Sequence, residues 1–173
     1  MIGLVWVWML DTQFGLVNQY LGGLGIPNIP WLTNPSWALF GIGLAAVWWE
    51  VGFSMVILLA GLQEIPRELR EAAAVDGANR WTTFWRIVLP LLRPALSLVL
   101  TIQIIATLRV FSLMYVMTNG GPAGASASVI SYVYEMGFSK YQLGYAAALS
   151  MMLFVTIVVV TIVELKIVRA SQD

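Results

Sequence analysis

The 173-residue sequence contains no cysteine and no histidine. Their absence excludes disulfide bonds, thiolate zinc sites, histidine-ligated haem and catalysis by a Ser-His or Cys-His pair. Charged residues are also scarce, at 10% of the chain, and nine basic side chains balance nine acidic ones. A chain with no net charge offers no basic surface to DNA or RNA, so we expect no nucleic-acid partner. We also expect no cofactor and no metal.

Apolar residues, by contrast, are abundant. They make up 60% of the chain, and the mean hydropathy is +0.83, which predicts a protein that lies in membrane lipid. Crossing a hydrocarbon core about 30 Å thick takes roughly 20 helical residues. Three stretches are long enough, at 37–62, 94–117 and 143–163, whereas the apolar stretch 1–10 is too short and is interpreted as the end of a helix that begins outside this chain. The predicted fold is an all-α membrane protein, a helical bundle of three full transmembrane helices plus a partial one, in one domain over residues 1–173.

The distribution of Lys and Arg predicts the orientation of this bundle. Five of the nine basic residues lie between 63 and 93, whereas the connection 118–142 contains only Lys140. The C-terminal tail carries Lys166 and Arg169. Because cytoplasmic loops are enriched in Lys and Arg, the segment 63–93 and the C-terminus are predicted to be cytoplasmic.

The connections on the predicted outer side are rich in Gly and Pro, as in LGGLGIPNIPWLTNPS and TNGGPAGASAS. Such stretches are typical of turns. We predict one short helix there, over residues 129–138, lying at the membrane interface.

The basic segment contains the run RELREAAAVDGANRWTTFWRIVLP, residues 67–90. Pro66 suits the start of a helix, and Gly77 suits the position just after a helix end, where φ is positive. A short, separate helix is therefore predicted between them. Spacings of i, i+3, i+4 and i+7 give this helix one shallow face, made of Leu69, Ala72, Ala73 and Asp76.

A second amphipathic stretch follows Gly77 and is predicted to lie at the membrane surface. Pro90 and Pro94 are expected to redirect the chain from there into the bilayer. The predicted apolar side of this stretch is formed by Trp81, Phe84, Trp85 and Val88.

The run EAAAVDGANRWTTFWRIVLP resembles the EAA motif of bacterial ABC importer permeases, which has Glu-Ala-Ala, Gly after three residues, then nine residues and Ile-x-Leu-Pro. The matching positions are Glu71, Ala72, Ala73, Gly77, Ile87, Leu89 and Pro90. The flanking runs LAGLQEIP, VMTNGGPAGAS and GFSKYQLGYAAALS resemble the carbohydrate branch of these permeases, which includes the maltose and glycerol-3-phosphate permeases.

The resemblance implies a permease subunit of an ATP-driven importer in the bacterial inner membrane, forming part of the path for a carbohydrate or sugar-like solute. Its expected partners are a dimer of cytoplasmic ATP-binding subunits, a second permease subunit, an extracytoplasmic solute-binding protein and membrane lipid. The short helix in segment 63–93 would be the coupling helix that contacts the ATPase. The implied coupling residues are Glu71, Ala72, Ala73, Asp76 and Gly77.

Two features depart from the family pattern. Such permeases usually have six spans, so the first two to three helices are expected to be missing from this chain. Family members often carry Phe-Asp where this chain has Phe111 and Ser112, so no role of that acid is transferred.

Alternative functions remain open: a permease for a different small solute, or a structural membrane subunit without transport. The chain lacks a phosphate-binding G-x-x-x-x-G-K-[ST] run, so ATP hydrolysis is assigned to a partner chain and the protein is not expected to be an enzyme. A membrane-embedded enzyme using Glu50 with Glu135 is disfavoured, because Glu135 is predicted to lie outside the bilayer.

Two charged residues lie within predicted spans, Glu50 in VWWEVGF and Arg109 in ATLRVFS. At a helical rise of about 1.5 Å per residue their depths agree to within roughly one turn. A single charge at that depth costs several kcal/mol. Glu50 and Arg109 are therefore predicted either to pair with each other or to line a water-filled substrate path.

Overall fold

The computed structural model describes the backbone of residues 1–170 and the side chains up to residue 167, so the side chain of Arg169 lies outside the described part. Within that part the chain is all-α, which confirms the predicted fold class. The helices are α1 (Ile2–Met9), α2 (Leu16–Gly23), α3 (Pro35–Glu64), α4 (Arg67–Val75), α5 (Arg80–Thr83), α6 (Leu89–Leu91), α7 (Arg93–Leu108), α8 (Ser112–Thr118), α9 (Val129–Tyr134) and α10 (Leu143–Ala170). Single π-helical turns cover Phe84–Val88 and Glu135–Ser139.

Among the described residues, two helices are long and apolar enough to cross a membrane, α3 and the part of α10 over Leu143–Ile167. A third candidate exists only if Arg80–Leu91 and α7, which meet at 65°, count as one bent span. Two of the three predicted spans are thus matched in length and composition. The 65° bend lies between Pro90 and Pro94, where the sequence predicts the redirection of the chain.

The prediction of one continuous helix over residues 94–117 is wrong. Helix α7 ends at Leu108 and α8 begins at Ser112, and Phe111 between them adopts φ −135° and ψ −59°, outside the helical region. The Phe111 ring stacks on Tyr115 at 5.2 Å and lies 5.3 Å from the ring of Tyr134. This aromatic packing favours the interruption, which hydropathy alone does not reveal because both helices are apolar.

The short outer helix predicted over residues 129–138 is present as α9 and the π-helical turn that follows it. Its start is fixed by a capping box in which Ser128 and Ser131 each bond the other's backbone N–H. Helix α2 has no counterpart among the predicted elements, because eight residues with two glycines give little hydropathy or periodicity to detect.

The described chain divides into two compact units. The first comprises Met1–Glu50 and Thr107–Ile157, and the second Val51–Ala106 with the described residues from Val158 onward. The apolar core of the first unit is formed by Leu10, Trp31, Ile42, Ala45 and Met117.

A buried amide organises the N-terminal part of the first unit. Asn18 is 2% exposed, and its Oδ1 accepts hydrogen bonds from the indole N–H of Trp31 at 2.9 Å and from the backbone N–H of Ile29 at 3.1 Å. Its Nδ2 donates to the carbonyls of Ile29 at 2.9 Å and Thr12 at 3.2 Å. One side chain therefore joins α2 to the loop before α3, and supplies polar partners that the loop backbone lacks.

In the second unit α3 and α7 approach closely. A Cβ added at Gly61 would lie 2.7 Å from the Cβ of Ala95, so only glycine fits there. Nearby, the side-chain amide of Gln103 donates to Ser54 at 2.9 Å. Thr101 of the same helix donates to the carboxylate of Glu164 in α10 at 2.7 Å. Small residues and interhelical hydrogen bonds of this kind hold helices together in lipid, where burial of apolar surface gives little driving force.

We predict that Asn18→Leu destabilises the protein by about 2–4 kcal/mol, because it leaves the buried indole N–H of Trp31 and the part-buried backbone N–H of Ile29 without their acceptor. Thermal unfolding in detergent measures the effect. Gln19→Leu is the matched control, since Gln19 is exposed and its amide makes only a 3.3 Å bond to Phe14. Equal midpoints for the two variants would show that the amide of Asn18 does not organise this region.

Candidate functional site

The candidate site is the segment between α3 and α7, which contains the short helix α4. This helix begins after Pro66 and ends at Val75, as predicted. Gly77 has φ +79°, and the backbone N–H groups of Gly77 and Ala78 donate to the carbonyls of Ala74 at 3.1 Å and Ala73 at 2.9 Å. These two bonds form a Schellman motif, which ends the helix sharply. The predicted positive φ of Gly77 is confirmed.

Several coupling residues inferred from the sequence are exposed on α4. Glu71, Ala72 and Asp76 are all exposed, and Val75, which the sequence pattern did not single out, is 88% exposed. An aliphatic side chain this exposed at the end of a rigid helix is a candidate contact residue.

Ala73 differs from its predicted position. The sequence placed it on the same accessible face as Ala72, but it is only 6% exposed. After the turn at Gly77, α5 contacts α4. Ala73 therefore packs within the chain, and the accessible surface is centred on Ala72 and Val75.

The stretch after α4 starts at a well-formed cap. The Oδ1 of Asn79 accepts hydrogen bonds from the backbone N–H of Thr82 at 2.8 Å and from its hydroxyl at 3.0 Å. This is the usual way in which Asn satisfies the free N–H groups of a helix start. Asn79 thus fixes the direction in which the chain leaves Gly77.

The apolar side of this stretch agrees only partly with the prediction. Trp81 and Trp85 are 72% and 58% exposed, as expected for side chains at a membrane surface, but Val88 is buried. The π-helical turn Phe84–Val88 explains the difference, because its extra residue rotates Val88 away from the face of the tryptophans.

The two charged residues of the predicted spans lie in the first unit. Glu50 is half-buried within α3, and Arg109 is exposed in the break between α7 and α8. The sequence placed Arg109 on a continuous helix, but in the structure it lies in a break between two helices. Residues next to a helix break can line a polar cavity, because the backbone there has unpaired polar groups. Their interaction stays a prediction.

A double-mutant comparison tests the pair. Glu50→Gln or Arg109→Gln alone is expected to lower the folded yield, since an unpaired charge in lipid costs about 3 kcal/mol. The double variant should recover part of that loss. The measurement is the amount of monodisperse protein extracted in detergent. Glu64→Gln is the control, because Glu64 is exposed. Additive losses in the double variant would contradict the pairing and favour separate contacts with water.

Comparison with known proteins identifies the family to which this chain belongs. An all-α chain with long apolar helices and a short exposed helix in its basic segment has the organisation of a membrane permease component. Residues 1–169 match the family model of the binding-protein-dependent transport system inner membrane component. The chain belongs to that family.

Two curated relatives cover nearly the whole chain. It is 39% identical over 170 residues to the sulfoquinovosyl glycerol transport system permease protein SmoG of Agrobacterium fabrum, covering 98% of this chain and 55% of the relative. It is 42% identical over 171 residues to the trehalose/maltose transport system permease protein MalF of Thermococcus litoralis, covering 97% and 57%. The chain thus spans little more than half the length of these relatives.

A solved structure shows the same fold. A chain of a bacterial ABC transporter involved in the import of the acidic polysaccharide alginate superposes with a TM-score of 0.88 at 26% identity. The superposition covers 99% of this chain and 60% of that chain.

Proposed function

We propose that this chain forms part of the membrane path of an ATP-driven importer for a carbohydrate or sugar-like solute, and couples that path to a separate ATPase. The observation that carries the proposal is helix α4, which starts after Pro66, is ended sharply by the Schellman motif at Gly77, and is exposed in the segment that holds five of the nine basic residues. The transport systems named for the relatives, for sulfoquinovosyl glycerol and for trehalose and maltose, support the solute class.

In this proposal the residues of α4 divide into two roles. Glu71, Ala72 and Asp76, together with Val75, form the surface that meets the ATPase. Ala73 and Gly77 hold the helix in shape, one by internal packing and the other by the positive φ of the Schellman motif. A rigid helix transmits displacement better than a flexible loop, because its internal hydrogen bonds fix all its backbone angles together.

The displacement has a direct route to the membrane helices. From α4 the chain passes through Gly77 and the Asn79 cap into Arg80–Leu91, which meets α7 at 65°. A change in the position of α4 would therefore alter the angle at this bend rather than dissipate in a long loop. We infer that alternating access of the solute path is driven through this bend.

The proposed partners are those that an importer of this family requires. They are a dimer of cytoplasmic ATP-binding subunits, a second permease subunit and an extracytoplasmic solute-binding protein. The last is supported by the solved alginate transporter in complex with its alginate pentasaccharide-bound periplasmic protein. In the proposed complex, the segment 63–93 and the C-terminus face the cytoplasm.

We predict that Gly77→Val lowers solute-stimulated ATP hydrolysis of the assembled complex by about tenfold. A β-branched residue at positive φ costs about 1–2 kcal/mol and misdirects the end of α4. No atom lies within 4 Å of a Cβ added at Gly77, so backbone strain is the only direct cost. Ala72→Trp is the companion variant, because it enlarges the exposed surface without straining the backbone. Retention of the ATPase on purification and its hydrolysis rate are the measurements.

Gly25→Val is a matched control for strain. Gly25 also has φ +79° with open space around it, and it ends α2 with the same pair of hydrogen bonds. Both valine variants should lower the thermal midpoint equally, but only Gly77→Val should reduce coupling. A complex with Gly77→Val and Ala72→Trp that keeps its ATPase and transports at the unmodified rate would exclude the coupling role and leave a connector without a partner.

We predict that a cysteine replacing Ser139 reacts with an impermeant maleimide in intact cells, while one replacing Gln63 reacts only after permeabilisation. Both side chains are exposed, and the chain has no other cysteine to react. Ser126 is unsuitable as a reporter because it is fully buried. The reverse labelling pattern would invert the proposed topology and place α4 on the side where no ATPase exists.

A further inference from the structure

The first unit contains a cavity of about 390 Å³, well apart in sequence from the coupling segment. This volume lies within the range of about 300–1,000 Å³ that is typical of small-molecule sites. The cavity lies between the end of α8, the loop before α9, and α9 with its π-helical turn. Side chains that line it include Tyr115, Asn119, Tyr132, Tyr134, Glu135 and Ser139.

One wall of the cavity is aromatic. The rings of Tyr115 and Tyr134 meet edge to face at 5.5 Å, and each is also stacked on a phenylalanine, Tyr115 on Phe111 at 5.2 Å and Tyr134 on Phe138 at 5.2 Å. The stacking fixes the ring planes, yet Tyr115 and Tyr134 remain 42% and 37% exposed. A fixed, half-exposed aromatic surface with phenolic hydroxyls suits a ligand that has both apolar C–H and hydroxyl groups.

The loop that closes the cavity is already ordered by its own hydrogen bonds. The hydroxyls of Thr118 and Ser126 are 2.6 Å apart, and Ser126 also donates to the carbonyl of Gly121 at 2.6 Å. By contrast, the side-chain amide of Asn119 makes no hydrogen bond to the described residues, although it lines the cavity. An ordered wall with a free amide needs little rearrangement to bind a ligand.

The charge of the lining indicates which saccharides would fit. Glu135 is the only charged side chain among the described residues that line the cavity. Its carboxylate is paired with Lys140 at 2.9 Å, and this hydrogen bond raises the pKa of the Lys140 ammonium group. Lys140 itself is not among the lining residues. Because none of the described lining residues is basic and the nearby ammonium group of Lys140 is already paired with Glu135, the cavity offers no free cation to neutralise a uronate or sulfonate.

We propose that this cavity is a contact site for a neutral saccharide unit, held between the Tyr115 and Tyr134 rings and the amide of Asn119. The proposal rests on the proposed function for its solute class, and adds a location and a charge preference to it. The preference differs from that of the alginate transporter, whose named substrate is acidic.

Alkylation of a single reporter cysteine tests the location. In the assembled complex, Ser139→Cys should be alkylated several-fold more slowly when maltose or trehalose is present at saturating concentration. Ser36→Cys is the matched control, because Ser36 is exposed and does not line the cavity. A saturated alginate disaccharide, which has the same number of sugar units, is the acidic comparison. Protection by the neutral sugars at Ser139→Cys alone is the expected result.

Two further variants, made in the Ser139→Cys background, identify the binding groups. Asn119→Gly removes the amide but keeps the left-handed backbone at φ 50°, and should weaken protection by about threefold to tenfold, the value of one hydrogen bond. Tyr134→Ala removes the aromatic wall and should abolish protection.

Failure of this site can be distinguished from failure of the proposed function. If a neutral sugar stimulates ATP hydrolysis but leaves the alkylation rate at Ser139→Cys unchanged, the site is wrong and the importer function stands. Protection by the alginate disaccharide alone overturns the preference for neutral saccharides. If no sugar either stimulates hydrolysis or protects the cysteine, both the solute class and the site are wrong.

Discussion

Hydrocarbon offers no hydrogen-bond partner, and this constraint determines where the chain can stop being helical. The long helices α3 and α10 satisfy their backbone internally, and only 11% and 6% of their most apolar windows are buried within the described chain. Most of their surface must therefore be covered by lipid or by other chains. Several polar side chains inside this environment are paired with one another, as Thr101 is with Glu164 and Gln103 with Ser54, although the buried hydroxyl of Thr161 in α10 has no hydrogen-bond partner among the described residues. Interhelical bonds of this kind do what a large apolar core does in a soluble protein.

Each interruption of helical structure has its own local compensation. The break before α8 is covered by stacked aromatic rings around Phe111, and the end of α4 by the two hydrogen bonds at Gly77. The loop before α3 receives its partners from Asn18. These compensations give each irregular segment one defined shape, which a site for a partner or a ligand requires. The proposed coupling surface and the proposed saccharide cavity both lie at such segments.

Sequence patterns predicted the features that depend on local chemistry. The bounds of α3 and α4, the positive φ of Gly77 and the helix near residue 129 follow from hydropathy, turn residues and caps within a few positions. Features that depend on contacts across the chain could not be predicted. Ala73 is buried on a helix that α5 contacts, and the rotation of Val88 follows from a π-helical turn. The partners of Asn18 are residues that are distant from it in sequence. The cavity beside Tyr134 is formed by the shape of the loop before α9.

In the proposed coupling role, α4 would make contacts that form and break in every transport cycle, and its composition suits such contacts. A fully buried aliphatic side chain contributes about 1.5–3 kcal/mol, so Val75 and the partly exposed Leu69 would together contribute only a few kcal/mol to docking. Ala72 would let the partner approach the helix backbone closely, but it would add little buried apolar area. The exposed carboxylates of Glu71 and Asp76 would attract basic groups of the docking partner, but solvent screens this attraction. A surface of large apolar residues would bind the partner more tightly. It would also be less soluble when undocked, and the partner would dissociate from it more slowly. In that role, the sharp end of the helix at Gly77 would allow a modest affinity to transmit a defined displacement.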